Sequence, residues 1–133
     1  QRAKEDIDVV QSLIDEATAD GGEVLFIQHR HLLTFDSITG VALVPEYEKV
    51  FLMEMAMSAN QPYLEKFWGD LESHRFDLII SEPLSIFMQT SDQVFGEENN
   101  VWLLNVEQPL VDFYMPLEEF KESGMIALEP RTD

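Results

Sequence analysis

The sequence contains no cysteine and few basic residues. Its 133 residues include 8 Lys or Arg against 26 Asp or Glu, which gives a formal net charge of −18. Without thiols, a disulfide scaffold, a cysteine-ligated zinc site and a cysteine nucleophile are all excluded. The excess of carboxylates repels phosphate backbones and anionic lipid headgroups. We therefore expect neither nucleic-acid binding nor direct binding to a lipid surface.

Long hydrophobic runs are also missing. No apolar stretch reaches the roughly 18 residues that cross a bilayer, and the N-terminus lacks the charged-then-apolar order of a signal peptide. The chain begins with Gln1 rather than Met, and we interpret it as a piece of a longer protein whose membrane anchor lies outside it. Because 45% of the residues are hydrophobic and 11% are aromatic, we predict one folded domain over residues 1–133.

Apolar periodicity predicts alternating helices and strands. Ile7, Val10 and Ala17 recur at helical spacing, which predicts a helix over about residues 3–19 that ends before the glycine pair at Gly21. Further helices are predicted over 47–57, 62–74 and 116–123 and around Trp102, Val106 and Leu110; strands over 23–27, 41–44, 76–80 and 125–128; and an irregular loop over 84–100.

The order of these segments predicts an α/β fold. A strand, helices and another strand form a βαβ unit, in which the crossover is right-handed and the strands run parallel. We predict a short, mostly parallel, Rossmann-like sheet of four or more strands flanked by helices, in a single compact domain. Ligands of such sheets bind beyond the carboxyl ends of the strands, so this edge is where we expect functional residues.

Polar side chains follow three of the predicted strands. They are His29, Arg30 and His31 after the first strand, Glu46 and Glu48 after the second, and Ser81 and Glu82 after the third. Imidazoles and carboxylates can ligate a metal or exchange protons, and a guanidinium binds anions. No third ligand stands at a diagnostic spacing, and Glu46 and Glu48 also suit the start of a helix. We therefore predict a ligand-binding edge and assign no catalytic residue, metal or cofactor to it.

Other motifs favour structural roles. No glycine-rich turn follows a predicted strand, so the phosphate-binding loops of nucleotide enzymes are missing. Ser81 lies in Ser-Glu-Pro rather than in a nucleophile elbow, which indicates turn chemistry. The methionines at 53, 55 and 57 are typical of core packing. The acidic stretch 92–100 lacks the alternation of a calcium loop and is interpreted as solvated.

Four segments resemble a known protein family. They are GGEVLFIQHRHLLTF at 21–35, VALVPEYEKVFLMEMAM at 41–57, RFDLIISEPL at 75–84, and FGEENNVW with PLVDFYMPLEEF within 95–120. They resemble the hydrophilic C-terminal part of bacterial multi-pass membrane proteins of the glycosyltransferase type, related to dolichyl-phosphate-mannose protein mannosyltransferases and including uncharacterised members from photosynthetic bacteria. In that family a bundle of membrane helices uses a lipid-linked sugar donor, and a soluble domain follows the last span.

The resemblance implies a role without chemistry of its own. Acidic catalytic residues of those transferases lie in loops of the membrane part, so none is carried onto this chain. We expect an extracytoplasmic, non-catalytic domain that positions a protein or glycan acceptor, with the membrane-embedded remainder of the same polypeptide as its partner. Two alternatives stay open. One is a small metal-dependent enzyme or ligand-binding domain that uses the histidines and glutamates of the strand edge, and the other is an acidic module that docks a basic protein.

Overall fold

A four-stranded sheet with helices on both faces forms the centre of the molecule. The structure, a computed structural model, describes residues 2–85 and 97–133. The helices are α1 (Arg2–Thr18), α2 (His31–Thr34), α3 (Lys49–Met57), α4 (Gln61–Glu72), α5 (Glu97–Trp102) and α6 (Gln108–Phe113), and the strands are β1 (Glu23–Phe26), β2 (Phe76–Ser81), β3 (Tyr114–Phe120) and β4 (Met125–Pro130). A 3-10 turn (Pro45–Tyr47) precedes α3, and a π-helical turn (Leu103–Glu107) joins α5 to α6.

Within the described part of the chain the strands lie in the order β1-β2-β4-β3; β1 and β2 run parallel, and the other two neighbouring pairs run antiparallel. In the antiparallel part of the sheet, Ile80 of β2 lies opposite Ala127 of β4, and β4 pairs with β3 as a hairpin. The mixed α/β class and the single domain agree with the prediction from sequence. The prediction of a mostly parallel sheet is wrong, and a Rossmann-like fold is not confirmed. The reason is topological: the chain returns from β3 to β4 through a hairpin instead of a helical crossover.

Alternate side chains of the strands enter two different cores. Leu25 and Ile79 pack in a core to which α3, α4 and α6 contribute, whereas Phe26 and Leu78 pack in a second core that α1 covers. Strands buried on both faces need apolar residues at consecutive positions. This explains why β1 and β2 are visible in the sequence as short unbroken hydrophobic runs.

The glycine pair after α1 fixes how the chain enters β1. Gly21 has a φ of 81°, a left-handed conformation that ends α1. Gly22 has no room for a side chain, because a Cβ there would overlap the Asp77 carboxylate and the Ala17 carbonyl oxygen. The predicted helix over 3–19 and the predicted strand over 23–27 are both confirmed, and this close approach positions one against the other.

The predicted strand over 41–44 is absent, and this prediction is wrong. Residues 41–44 have no regular secondary structure, and among the described residues no backbone hydrogen bond joins them to β1. Val41 packs on the core beneath α1, and Val44 packs on the opposite core. Val41 and Val44 are therefore partly buried on opposite faces without pairing, while Ala42 and Leu43 are exposed, and the parallel βαβ unit connects β1 directly to β2.

The predicted helix over 116–123 is also wrong, because these residues form most of β3 and the following turn. Leu117 and Phe120 have helical spacing, yet Phe120 pairs with Met125 across the hairpin. The register shifts between Pro116 and Glu118, as in a β-bulge. β3 is an edge strand, where proline is tolerated. Tertiary pairing with β4 outweighs the local preference.

The predicted loop over 84–100 is wrong at its C-terminal end, because residues 97–100 belong to α5. Residues 86–96 lie outside the described residues, and with them Asp92, whereas Glu97 and Glu98 of the acidic stretch belong to α5. The helix predicted around Trp102, Val106 and Leu110 is confirmed, with its π-helical turn in the middle. Within residues 2–85 and 97–133, no helix combines the length and apolar character that spanning a membrane requires.

Candidate functional site

The ends of the two parallel strands meet at one edge of the sheet. The buried Gln28, just after β1, accepts a hydrogen bond through Oε1 from the backbone N–H of Glu82, just after β2, at 2.9 Å. The N–H of Lys49 at the start of α3 donates to the carbonyl of Ile27 at 2.9 Å. These two bonds hold the strand ends and the start of α3 side by side.

A groove of about 370 Å³ opens at this edge. We call it the strand-end groove; its polar lining consists of Gln28, His29, Arg30, His31, Glu48, Lys49 and Glu82. The volume lies within the usual range for small-molecule sites, roughly 300–1,000 Å³. Five of the seven sequence-predicted residues therefore come together: His29, Arg30, His31, Glu48 and Glu82.

His29 lies between the two halves of the sheet. Its φ of 64° is in the left-handed region, which is uncommon for a residue other than glycine. Its Nε2 lies 3.0 Å from the carbonyl oxygen of Gly124 in the turn between β3 and β4. Because a carbonyl only accepts, Nε2 carries the hydrogen, and Nδ1 of the neutral ring is an acceptor. The His31 ring has its centroid 5.9 Å away, so two imidazoles neighbour each other in the groove.

Two exposed ion pairs supply the charges of the groove. Arg30 Nη1 donates to both carboxylate oxygens of Glu48 at 2.6 Å, and Lys49 Nζ donates to Glu82 Oε1 at 2.9 Å. Arg30, Lys49 and Glu82 keep 46–49% of their side-chain surface exposed. Such pairs contribute at most about 1 kcal/mol. A ligand with polar groups can therefore exchange with either pair at little cost.

Two of the predicted residues lie outside the groove. Glu46 is exposed on the 3-10 turn, and its backbone carbonyl accepts a hydrogen bond from the hydroxyl of Tyr63. Ser81 is buried, and its hydroxyl donates to the carbonyl of Glu82 at 2.6 Å. Across residues 2–85 and 97–133, no three histidine or carboxylate side chains are grouped so that they can hold a metal ion.

A second pocket lies on the other side of the Lys49–Glu82 pair. It has a volume of about 360 Å³, and we call it the α3–α5 pocket. Among the residues that the structure describes, its lining includes Lys49, Met53, Glu82, Pro83, Ser85, Asn99, Trp102 and Glu107. Sequence reasoning missed it. The position of Lys49 directly after the predicted site residue Glu48 could have indicated that Lys49 lies at this edge. Nothing in the sequence indicates that a π-helical turn brings Trp102 and Glu107 to the same edge.

A hydrogen-bonded network fixes the segment that leads to Glu48. The buried Tyr47 donates through its hydroxyl to Asp70 Oδ2 at 2.6 Å, and Lys66 and Arg75 donate to the same oxygen at 3.1 and 2.9 Å. Burial acts to raise the pKa of Asp70, but the bonds from Tyr47, Lys66 and Arg75 outweigh it and lower this pKa. Burial and the neighbouring Asp70 raise the pKa of Tyr47, so its phenol stays protonated as a donor.

Comparisons with protein-family models, with curated proteins and with solved structures find no match for this chain. Its geometry and its sequence segments are accordingly the basis for a functional proposal.

Proposed function

We propose that this domain is a non-catalytic binding domain that positions an acceptor through the strand-end groove. The observation that carries the proposal is the balance of charge in the groove. Arg30 and Lys49 oppose Glu48 and Glu82, so the groove is formally neutral while the whole chain carries −18. A neutral ligand rich in hydroxyl and amide groups, such as a glycan or a polypeptide segment, matches this mixture of donors and acceptors.

The proposed partner is the membrane-embedded remainder of a glycosyltransferase-like protein, with this domain on the extracytoplasmic side. Three of the segments that resemble the family supply the groove: 21–35 contains the two histidines, 41–57 contains Glu48, and 75–84 contains Glu82. The parent gene provides a direct test. Several apolar spans encoded upstream of Gln1 would support the proposal, and an immediate start codon would contradict it.

Binding can be tested with the isotope-labelled domain by NMR titration. We expect neutral saccharides or short serine- and threonine-containing peptides to shift the amide signals of 28–31 and 48–49. Glu48→Gln removes the partner of Arg30 in the groove and should weaken this binding. Glu46→Gln is the matched control, since it removes the same charge two residues away on an exposed turn outside the groove.

The outcomes separate this proposal from its alternatives. Equal effects of Glu48→Gln and Glu46→Gln would rule out the groove as the binding site. Turnover of a substrate by the isolated domain, abolished by His29→Ala or Glu82→Ala, would contradict the non-catalytic role. A basic protein partner whose affinity falls steeply with added salt would instead favour the acidic interaction module.

A further inference from the structure

The α3–α5 pocket combines a buried carboxylate with an aromatic wall. Glu107 is only 5% exposed, and its Oε1 accepts a hydrogen bond from the Ser85 hydroxyl at 2.9 Å. The half-buried Trp102 and Met53 line the same pocket, and Glu82 stands at its boundary with the strand-end groove. The pocket is thus distinct from the part of the groove that His29, Arg30 and Glu48 form.

The π-helical turn places these groups and is itself held in position. It begins directly after Trp102 and ends at Glu107. Asn105 in its middle donates through its side chain to the carbonyl of Val101 at 3.0 Å, and its own carbonyl accepts from Trp68 Nε1 of α4 at 2.9 Å. Single π-helical turns are frequent at functional sites because they re-aim side chains within a helix.

The chemistry of the lining suits an organic cation. A carboxylate accepts charge-assisted hydrogen bonds from an ammonium group. An indole face attracts a cation, and a thioether packs adaptably on an alkyl chain. An ammonium–carboxylate bond of this kind already exists at the boundary of the pocket, where Lys49 Nζ donates to Glu82 Oε1 at 2.9 Å. The net charge of −18 further raises the local concentration of cations.

We propose that the α3–α5 pocket binds an alkylammonium group. The ammonium bonds Glu107 and competes with Lys49 for Glu82, while the alkyl chain packs on Trp102 and Met53. The ligand is either a free aliphatic amine or the side chain of a lysine in a peptide, since both present the same chemistry.

Isothermal titration calorimetry of the whole chain at low ionic strength tests the proposal. The probes are 1,5-diaminopentane, for a free amine, and Nα-acetyl-lysine amide, for a peptide lysine. The neutral 1,5-pentanediol has the same chain length and serves as the uncharged control. We expect saturable binding of at least one amine and none of the diol. Binding of only one amine identifies the source of the ligand.

Variants locate the binding in the pocket. Glu107→Gln keeps the shape of the side chain and should weaken binding by roughly tenfold, as expected for loss of one charge-assisted hydrogen bond. Glu118→Gln is the matched control, because it removes the same charge on the exposed strand β3. Lys49→Met frees Glu82 and should strengthen binding severalfold, a gain that misfolding cannot produce.

Three results would overturn the proposal. In the first, Glu118→Gln and Glu107→Gln weaken amine binding equally. In the second, the diol binds as tightly as the amines. In the third, Lys49→Met binds the amines as tightly as the unmodified protein does, or more weakly. If circular dichroism shows that Glu107→Gln does not fold, Trp102→Leu and Lys49→Met replace it as tests of the pocket, with expected loss and gain of affinity respectively. Failure in this pocket leaves saccharide or peptide binding by the His29–Glu48 groove independently measurable.

Discussion

The parallel pair β1–β2 and the edge strand β3 of the hairpin belong to one sheet but bury their side chains very differently. Three of the four residues of β1 and five of the six of β2 are buried, whereas β3 buries only its two ends, Tyr114 and Phe120. The exposed middle of β3 carries Glu118 and Glu119, and charges on an edge strand discourage pairing with another chain. The strands β1 and β2 are therefore enclosed by helices on both faces, whereas the edge strand β3 is protected by charge.

This difference also decides where functional groups gather. Parallel strands end at the same edge, so the residues after β1 and β2 become neighbours even though the bond from Glu82 to Gln28 spans 54 positions. Antiparallel strands end at opposite edges. The hairpin reaches the groove with its turn, through the contact of Gly124 with His29. The groove thus belongs mainly to the parallel pair.

The largest effect is expected where the chain enters the parallel pair. In Gly22→Ala the new Cβ overlaps the Asp77 carboxylate and the Ala17 carbonyl oxygen, so α1 and β1 must separate. We expect a loss of up to about 3 kcal/mol in the free energy of unfolding, measured by urea denaturation. Gly69→Ala is the control, because a Cβ there meets nothing within 4 Å on the exposed side of α4. It should stabilise the protein by about 0.5–1 kcal/mol. Equal stability of the two variants would show that Gly22 is not tightly enclosed.

The same comparison explains which elements were predictable from sequence. β1 and β2 are buried on both faces, and their apolar runs are unambiguous. The segments 41–44 and 116–120 are ambiguous, because a short apolar run can pack partly on the core without pairing, and helical spacing of apolar residues can occur in an edge strand. Pairing partners are decided by tertiary contacts that local periodicity does not contain. The hairpin, whose partner strands are close in sequence, was therefore missed despite its short turn.

The site was predictable to the extent that it follows from parallel strand ends. His29, Arg30, His31 and Glu82 lie in the groove because each closely follows one of the two parallel strands. Glu46 was assigned through a strand that does not form. Glu107 was out of reach of sequence reasoning, because its position depends on one π-helical turn that shifts the helical register.

A smaller, pH-dependent effect is expected at the start of the parallel pair. Arg75, just before β2, bonds both Asp70 and Glu23 of β1. The pKa of Asp70 is lowered in the folded protein, so its ionisation contributes stability that is complete above the ordinary carboxyl pKa of 3.8 and is lost as pH falls through the lowered folded value. Asp70→Asn should lower the free energy of unfolding by about 1–2 kcal/mol at neutral pH, and the melting temperature of this variant should converge with that of the unmodified protein in acid.

Asp112→Asn, at an exposed carboxylate on α6, is the control and should differ little from the unmodified protein in melting temperature at any pH. A constant gap down to the lowest pH would contradict the role of the ionised Asp70.

The smallest effect is expected at the bond between His29 and Gly124, which joins the two regions in the groove. His29→Asn keeps a residue that tolerates the left-handed backbone but removes the imidazole bond to Gly124. We expect a loss of about 0.5–1 kcal/mol and a shift of the Gly124 amide signal. His29→Ala loses the same bond and lacks the tolerance of Asn for this conformation, so it should lose slightly more stability than His29→Asn. If both variants lose equal stability, the left-handed conformation is not retained. If neither variant loses stability, His29 does not couple the hairpin turn to the parallel strand ends.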